Sequence, residues 1–215
     1  MNFRYQALRW LVFKIGDIRQ KNTSIAWNKV EPNIDLNACE EALSLMEPGD
    51  IILHRDFGFL SNLFIGGHYI HAGIYVGDKQ AVEAIAKGVV KRHAFHILHS
   101  DSAIVLRPRV SAQAKTDACG WARIIVGSPY DVQFNFNAEE ERTLILKGGR
   151  SEFCCTEIPF FCYLRHTDRL GIRRKKSVGL LVRLLELIGL HPGRDVVTAD
   201  MYVQARGFDV VWQSC

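Results

Sequence analysis

The sequence predicts an α+β domain, an antiparallel sheet with helices packed on it, and three observations carry that reading. Short apolar runs at Ile51–His54, His71–Gly77, Gln80–Ile85, Gly88–Val90 and Ser102–Arg107 have the length and alternation of strands. Two longer stretches, Asn37–Met46 and Ser111–Val126, have helical spacing and end in turn residues. A chain of 215 residues that is 48% hydrophobic and 23% charged suits one domain with a full-sized core.

From the N-terminus, Met1–Trp27 mixes Phe3, Leu8, Leu11, Val12, Phe13, Ile15 and Ile18 with Arg4, Arg9, Lys14 and Asp17, a spacing that predicts an amphipathic helix closing over the core. Glu31-Pro32-Asn33 breaks it, and Asn37–Met46 follows as a second helix. Glu47-Pro48-Gly49-Asp50 is a turn that launches the buried strand Ile51–His54. Phe57–Phe64 with Gly66-Gly67 is a loop rich in aromatics and glycine. His93, His96 and His99 recur every third residue, a period that fits neither a strand nor a helix face well. They are expected in a solvated loop between two strands, without a metal. Pro108 ends the next strand. Trp121, Ile124 and Ile125 are assigned to the core side of the Ser111–Val126 helix, Glu139–Arg142 to an exposed charged stretch, and Thr143–Leu146 to a strand.

Composition excludes several classes. A formal charge of +4, with no basic groove studded with aromatics, argues against nucleic acid. The six cysteines form no Cys-x-x-Cys pair, which argues against a zinc ribbon or a redox motif. No run reaches the roughly 18 uninterrupted apolar residues of a spanning helix, and the N-terminal stretch lacks a signal-peptide pattern. The expectation is a reducing, cytoplasmic setting with free thiols.

Two stretches carry chemistry. In His71-Ala-Gly-Ile-Tyr-Val-Gly77, His71, Gly73 and Tyr75 share one face. Gly77-Asp78-Lys79 turns the chain so that Gln80–Ile85 returns as a hairpin. A three-residue loop sets Val76 opposite Gln80 and Gly73 opposite Glu83, with His71 diagonal to Glu83, whereas a two-residue loop sends Glu83 to the other face. A carboxylate in reach of an imidazole orients it and raises its basicity. The second stretch is Ser151–Tyr163. A helix starting near Cys155 or Thr156 keeps Pro159 in its first turn, where proline is tolerated. Cys155 then lies at a helix start, beside N–H groups that favour a thiolate and can hold an oxyanion. Cys162, flanked by aromatics, reads as a buried structural thiol. Physics alone leaves Cys154 and Cys155 both open as the nucleophile. His54, at a strand end, reads as a satisfied or substrate-lining histidine rather than the base.

Taken together these motifs resemble the circularly permuted papain-like, NlpC-type cysteine amidases, a branch that includes lecithin:retinol acyltransferase-like proteins and in which His precedes Cys. Pro48-Gly-Asp-Ile-Ile52 is similar to the family's opening strand, and His71–Gly77 with Val82-Glu83-Ala84 to its His strand and third-residue strand. Gly127-Ser-Pro-Tyr130-Asp131 is similar to its turn after the middle helix, and Phe153-Cys-Cys155-Thr-Glu157 to its Cys-Ser/Thr-Glu helix start. Val197–Tyr202 and Val210–Trp212 resemble its last turn and strand. The resemblance implies Cys155 as nucleophile, His71 as base and Glu83 as the third member, with no cofactor and no metal. Cys155 takes precedence over Cys154 because it directly precedes Thr156-Glu157.

The expected organisation is a single domain: an N-terminal helical extension at 1–46, a catalytic core at 47–163, a basic and apolar helical insertion at 164–192, and a final strand region at 193–215. The insertion holds Arg165, Arg169, Arg173, Arg174, Lys175 and Lys176, then the apolar Val178–Leu190. That pattern reads either as a core helix with a solvated charged approach, or as a segment suited to an anionic lipid surface or a lid over a lipid-like substrate. The expected activity is hydrolysis of an amide or ester in a small acyl, peptide or lipid-like substrate through a thioester. The alternatives are a thiol acyltransferase and a binding module that keeps the fold. Oligomeric state is not legible in the sequence.

Overall fold

The computed structural model describes residues 32–57, 67–131, 137–173 and 197–214, and the backbone of four short strands at 19–21, 24–26, 175–176 and 195–196. In chain order the elements are β1 (Arg19–Lys21), β2 (Ser24–Ala26), α1 (Leu36–Leu45), β3 (Ile51–Arg55), β4 (His71–Gly77), β5 (Gln80–Ile85), β6 (Gly88–His93), α2 (Phe95–Leu98), β7 (Ser102–Pro108) and α3 (Ala112–Ile124). They continue with α4 (Ala138–Leu146), α5 (Glu157–Cys162), a 3-10 turn (Leu164–His166), α6 (Thr167–Leu170), β8 (Lys175–Lys176), β9 (Asp195–Val196), α7 (Ala199–Gln204) and β10 (Phe208–Gln213).

Six strands form one antiparallel sheet in the order β10-β7-β3-β4-β5-β6, and β1-β2 and β8-β9 make two small pairs. The fold is α+β with both sheet faces covered. On one face Leu53, Ala72, Ile74 and Leu106 pack with Ala118 and Ala122 of α3 and Phe161 of α5. On the other, Ile52, Tyr75 and Val105 pack with Cys39 and Ala42 of α1 and Ile97 and Leu98 of α2. Two-sided burial explains why β3 and β4 read as nearly continuous apolar runs.

The turn before β3 ties these layers together. Asp50 is fully buried and accepts the Glu47 N–H at 2.8 Å, while Arg107 of β7 pairs with both of its oxygens at 2.8 and 3.0 Å. Gly49 has φ +98°, and a Cβ there would lie 2.6 Å from the Tyr163 hydroxyl, which donates to the Gly49 carbonyl at 2.7 Å. The residue at that corner must therefore turn left-handed without a side chain, and only glycine does so at low cost.

Several expectations are corrected. The Asp78-Lys79 loop has two residues, both with positive φ, not three. The extra residue sits instead as a β-bulge at Val76, with Gly77 opposite Gln80. Gly73 still faces Glu83, so the carboxylate stays on the His71 face. Thr143–Leu146 belongs to helix α4 rather than a strand, because Glu139-Glu140-Glu141 fill its first turn and favour its positive end. Ile124 is exposed at 58%, since it falls on the outer side of α3, while Ile125 is buried. The histidine stretch is not a solvated loop. His93 ends β6 and accepts the Phe95 N–H, and α2 between His93 and His99 buries Ile97 and Leu98 completely.

Within the expected N-terminal helix, 19–21 and 24–26 pair as antiparallel strands, and the rest of it lies outside the described residues. Among the described residues of the insertion, helix extends as far as Leu170. Lys175-Lys176 pair with Asp195-Val196, and Val178–Leu190 lies outside the described residues, as does most of the Phe57–Phe64 loop. Among the described residues no helix is long and apolar enough to cross a membrane.

Candidate active site

The β4–β5 ladder stops at Gly73↔Glu83, leaving His71 and Ala72 at the open end of the sheet. Gly73 keeps that corner passable. A Cβ there would come within 2.7 Å of Ile97 Cδ1 and 3.4 Å of Glu83 Cβ. His71 reaches across this gap, and its Nε2 meets Glu83 Oε2 at 2.7 Å. The other carboxylate oxygen, Oε1, accepts from Arg92 Nε. Glu83 is fully buried, so each of its oxygens needs such a partner.

The third predicted residue arrives from α5. This helix begins with Thr156 as its N-cap, and Pro159 sits in the first turn as expected. Cys155 lies just before it. Its Sγ lies 3.8 Å from the Ile70 carbonyl oxygen, and the backbone N–H groups of Ala72 and Thr156 donate to it. The Ala72 amide lies beyond Gly73↔Glu83, the last pair of the β4–β5 ladder. The side chains of His71 and Tyr130 hydrogen-bond to the same sulfur. Tyr202 of α7 fastens the turn from behind by donating to the Thr156 carbonyl at 2.6 Å.

The charges follow from these contacts. Burial alone would raise the Cys155 pKa, but the His71 charge and the hydrogen bonds from His71, Ala72 and Thr156 bring it below the ordinary thiol value of 9.0. For His71, burial favours the neutral ring, and Cys155 and Glu83 override it and carry the imidazole up to about 10. Burial would likewise protonate Glu83, yet His71 and Arg92 hold it down at about 2. The shifts of all three groups run toward thiolate, imidazolium and carboxylate in a row. With a helix of only six residues, it is these neighbours rather than a macrodipole that favour the thiolate.

Cys154 is the contrast. Its Sγ lies 3.3 Å from Thr156 Oγ1, and burial, with the charges of Glu157 and Cys155, pushes its pKa well up. Burial also raises Cys39, to about 11, and Cys119 and Cys162. Of the five described cysteines, Cys155 alone is shifted toward the thiolate.

His54 faces His71 directly in the β3–β4 register, with ring centroids 4.7 Å apart. Burial and the His71 charge lower its pKa to about 3, and its buried Nδ1 has no hydrogen-bond partner. It is thus a neutral, unsatisfied ring rather than a satisfied one.

Sequence reasoning missed Arg92 and Tyr130 as site residues. Arg92 was legible in principle. The Ala86-Lys87-Gly88 turn sets Glu83 opposite Val90, which places Arg92 diagonally on the same side. Tyr130 lay in a recognised turn motif, but only its parallel bridge to Phe153 brings it to Cys155.

Comparison with known proteins agrees with this topology. Residues 45–144 match the model of the permuted papain-like amidase enzymes, YaeF/YiiX, C92 family. The crystal structure of the metalloprotein YiiX from Escherichia coli O157:H7 superposes with a TM-score of 0.56 at 21% identity, covering 78% of this chain and 97% of that one. A CTP synthase from Thermosipho africanus (strain TCF52B) is 25% identical over 184 residues, 82% of this chain and 34% of that protein. The chain spans about a third of the synthase's length, so the synthase's name describes a much larger molecule. The matched sequence at 45–144 and the six-stranded antiparallel sheet with its packed helices agree, and both are similar to the permuted papain-like amidase family.

Proposed function

We propose that this chain is a cysteine hydrolase that opens an amide or ester bond through Cys155, His71 and Glu83, by way of a thioester. One observation carries the reading: the His71 ring hydrogen-bonds the Cys155 sulfur on one side and Glu83 Oε2, at 2.7 Å, on the other. The Cys155 thiolate attacks the carbonyl carbon, forming the C–S bond. The Tyr130 hydroxyl and the Ala72 and Thr156 amides, which meet the sulfur in the free protein, are the donors within reach of the oxyanion. His71 gives its proton to the leaving nitrogen or oxygen as that bond breaks. Neutral His71 then takes a proton from water, which attacks the thioester, releases the acid and restores the thiolate. Glu83, fixed by Arg92, keeps the imidazole in place throughout.

The amidase description of the matched family supports hydrolysis at this coarse level. An acyltransferase differs only in the acceptor that replaces water, and kinship with the lecithin:retinol acyltransferase-like branch rests on motif order alone. A lipid-like acyl group and contact with an anionic surface rest on the basic run from Arg165 to Lys176. The Escherichia coli relative is described as a metalloprotein. Here, among the described residues, no three His, Cys, Asp or Glu side chains converge as a metal shell, and His71 and Glu83 are committed to each other. No step of the proposed reaction uses a metal.

Iodoacetamide labelling read by mass spectrometry tests the proposal. Cys155 is expected to react first and well below pH 8, and His71→Ala to slow it by about tenfold or more. Equal, slow labelling of all the cysteines would overturn the enzyme reading and favour a binding module on the same fold.

A further inference from the structure

The two peptide units just ahead of the His71 strand are held by charged side chains. Arg55, the last residue of β3, donates to the Gly67 and His68 carbonyls at 2.6 and 2.7 Å. Asp200 of α7 takes the opposite edge, accepting the His68 N–H on Oδ2 at 2.7 Å and the Tyr69 N–H on Oδ1 at 2.8 Å. Each of these two peptides is thus gripped at its carbonyl and at its amide. The next carbonyl, that of Ile70, lies 3.8 Å from Cys155 Sγ, and His71 follows. The same helix has a second arm. Two residues after Asp200, the Tyr202 hydroxyl donates to the carbonyl of Thr156, whose own N–H meets the Cys155 sulfur. The helix is anchored independently of both arms. Ala199, Met201 and Tyr202 are buried, and the chain runs on into β10, which pairs with β7.

We propose that Asp200 and Tyr202 are positioning residues, and that α7 is a brace which sets the distance between the His71 ring and the Cys155 sulfur. The inference rests on the reading of Cys155 as nucleophile. Both side chains act through backbone: Asp200 fixes the entry to the strand that carries the imidazole, and Tyr202 fixes the turn that carries the thiol. Hydrogen bonds to an ionised acceptor are the stronger kind, which suits Asp200 to holding two amides in one place. Mere satisfaction of those amides does not require it. Asp200 borders a cavity of about 340 Å³, also lined by Val203, Gln204 and Gln213. Water entering there satisfies the His68 and Tyr69 N–H groups when the carboxylate is removed, and Arg55 still holds the carbonyls. Loss of Asp200 therefore costs position more than fold.

The test is the pH profile of Cys155 alkylation by iodoacetamide, read by mass spectrometry beside thermal melting. It compares wild type with Asp200→Ala, Asp200→Asn, Tyr202→Phe and the double variant Asp200→Ala/Tyr202→Phe. An imidazole drawn away from the sulfur stabilises the thiolate less, so the acid limb of the profile moves up toward the ordinary thiol value of 9.0. Asp200→Ala and Tyr202→Phe are each expected to raise that limb by about one pH unit, which slows labelling about tenfold below it. Asp200→Asn keeps one acceptor for the two amides and is expected to shift it less. Cutting either arm frees the brace, so the double variant is expected to move the limb no further than the larger single shift. The sign separates geometry from charge. His71, Tyr130, Cys154 and Glu157, which act on the sulfur, are unchanged, and removing the Asp200 carboxylate by charge alone favours the thiolate and moves the limb down. A limb within about 0.3 pH unit of wild type, or one that moves down, would overturn the brace even where the melting temperature falls. Shifts that add in the double variant would overturn it too. Asp200→Asn and Tyr202→Phe, which keep the side-chain shape, decide where Asp200→Ala does not fold. A wild-type Cys155 that labels no faster than Cys154 would sink the nucleophile reading and the brace with it, and that result shows before any variant is compared.

Discussion

Replacing Glu83 by glutamine probes the charge relay at its most buried point. The substitution keeps the shape and one hydrogen bond to His71 but removes the negative charge between two cations, His71 Nε2 at 2.7 Å and Arg92. A hydrogen bond to a charged group contributes about 1.5–3 kcal/mol more than no bond at all. Glu83 is fully buried, so solvent does not discount that figure. At about 1.4 kcal/mol per decade, the His71 pKa should fall from about 10 by one to two units, and the thiolate–imidazolium pair should give way that much earlier as pH rises. The assay is the pH profile of Cys155 alkylation, located by mass spectrometry. In Glu83→Gln the alkaline limb of the reactive plateau is expected to move down by about one to two pH units. A profile within about threefold of wild type, with unchanged limbs, would refute the coupling of Glu83 to the thiolate.

Three further outcomes follow from the same geometry. Glu83 is lowered from 4.5 to about 2 in the folded protein, so its contribution of about 3 kcal/mol is present above pH 4.5 and lost as pH falls toward 2. His71 is raised from 6.5 to about 10, so its contribution is complete below pH 6.5 and lost as pH rises through 10. Both are then in full between these limits, and Glu83→Gln should remove the acid-side loss in a denaturant titration series. Cys154→Ser is expected to leave Cys155 labelling and ester turnover within about threefold, whereas Cys155→Ser abolishes both, because burial and the neighbouring charges keep Cys154 protonated. Gly73→Ala would drive a methyl to within 2.7 Å of Ile97 Cδ1 and 3.2 Å of the Val82 carbonyl. It is expected to cost about 1–3 kcal/mol, a fall of about 3–10 °C in melting temperature, and to slow Cys155 labelling by displacing Glu83.

The parts of the fold that the sequence made legible were those written in local patterns. The limits of β4, the return of β5 and the position of Pro159 in the first turn of α5 all follow from alternation, turn residues and proline chemistry. The pairing of Gly73 with Glu83 held although the loop length did not, because a bulge at Val76 absorbed the difference. Nothing in the sequence announces such a bulge. Thr143–Leu146 was misread because β-branched and apolar residues carry a strand signal that the acidic first turn of α4 outweighs. His93, His96 and His99 looked solvated because their period was considered and the apolar Ile97-Leu98 between them was not. The choice between Cys154 and Cys155 came from the resemblance of Cys155-Thr156-Glu157 to a family helix start and not from the physics of the local sequence. Two adjacent thiols differ only in what the fold brings to them, and His71 and Ala72 arrive from more than eighty residues away.

The central claim is a covalent one, and trapping the intermediate tests it most directly. The intact protein is mixed with an activated acyl ester, quenched in acid within the first turnover, digested and sequenced by mass spectrometry. The account predicts one acyl group per chain, on Cys155, absent from Cys155→Ser and slowed in His71→Ala. An acyl group on Cys154, one spread over several thiols, or none before product appears would contradict it.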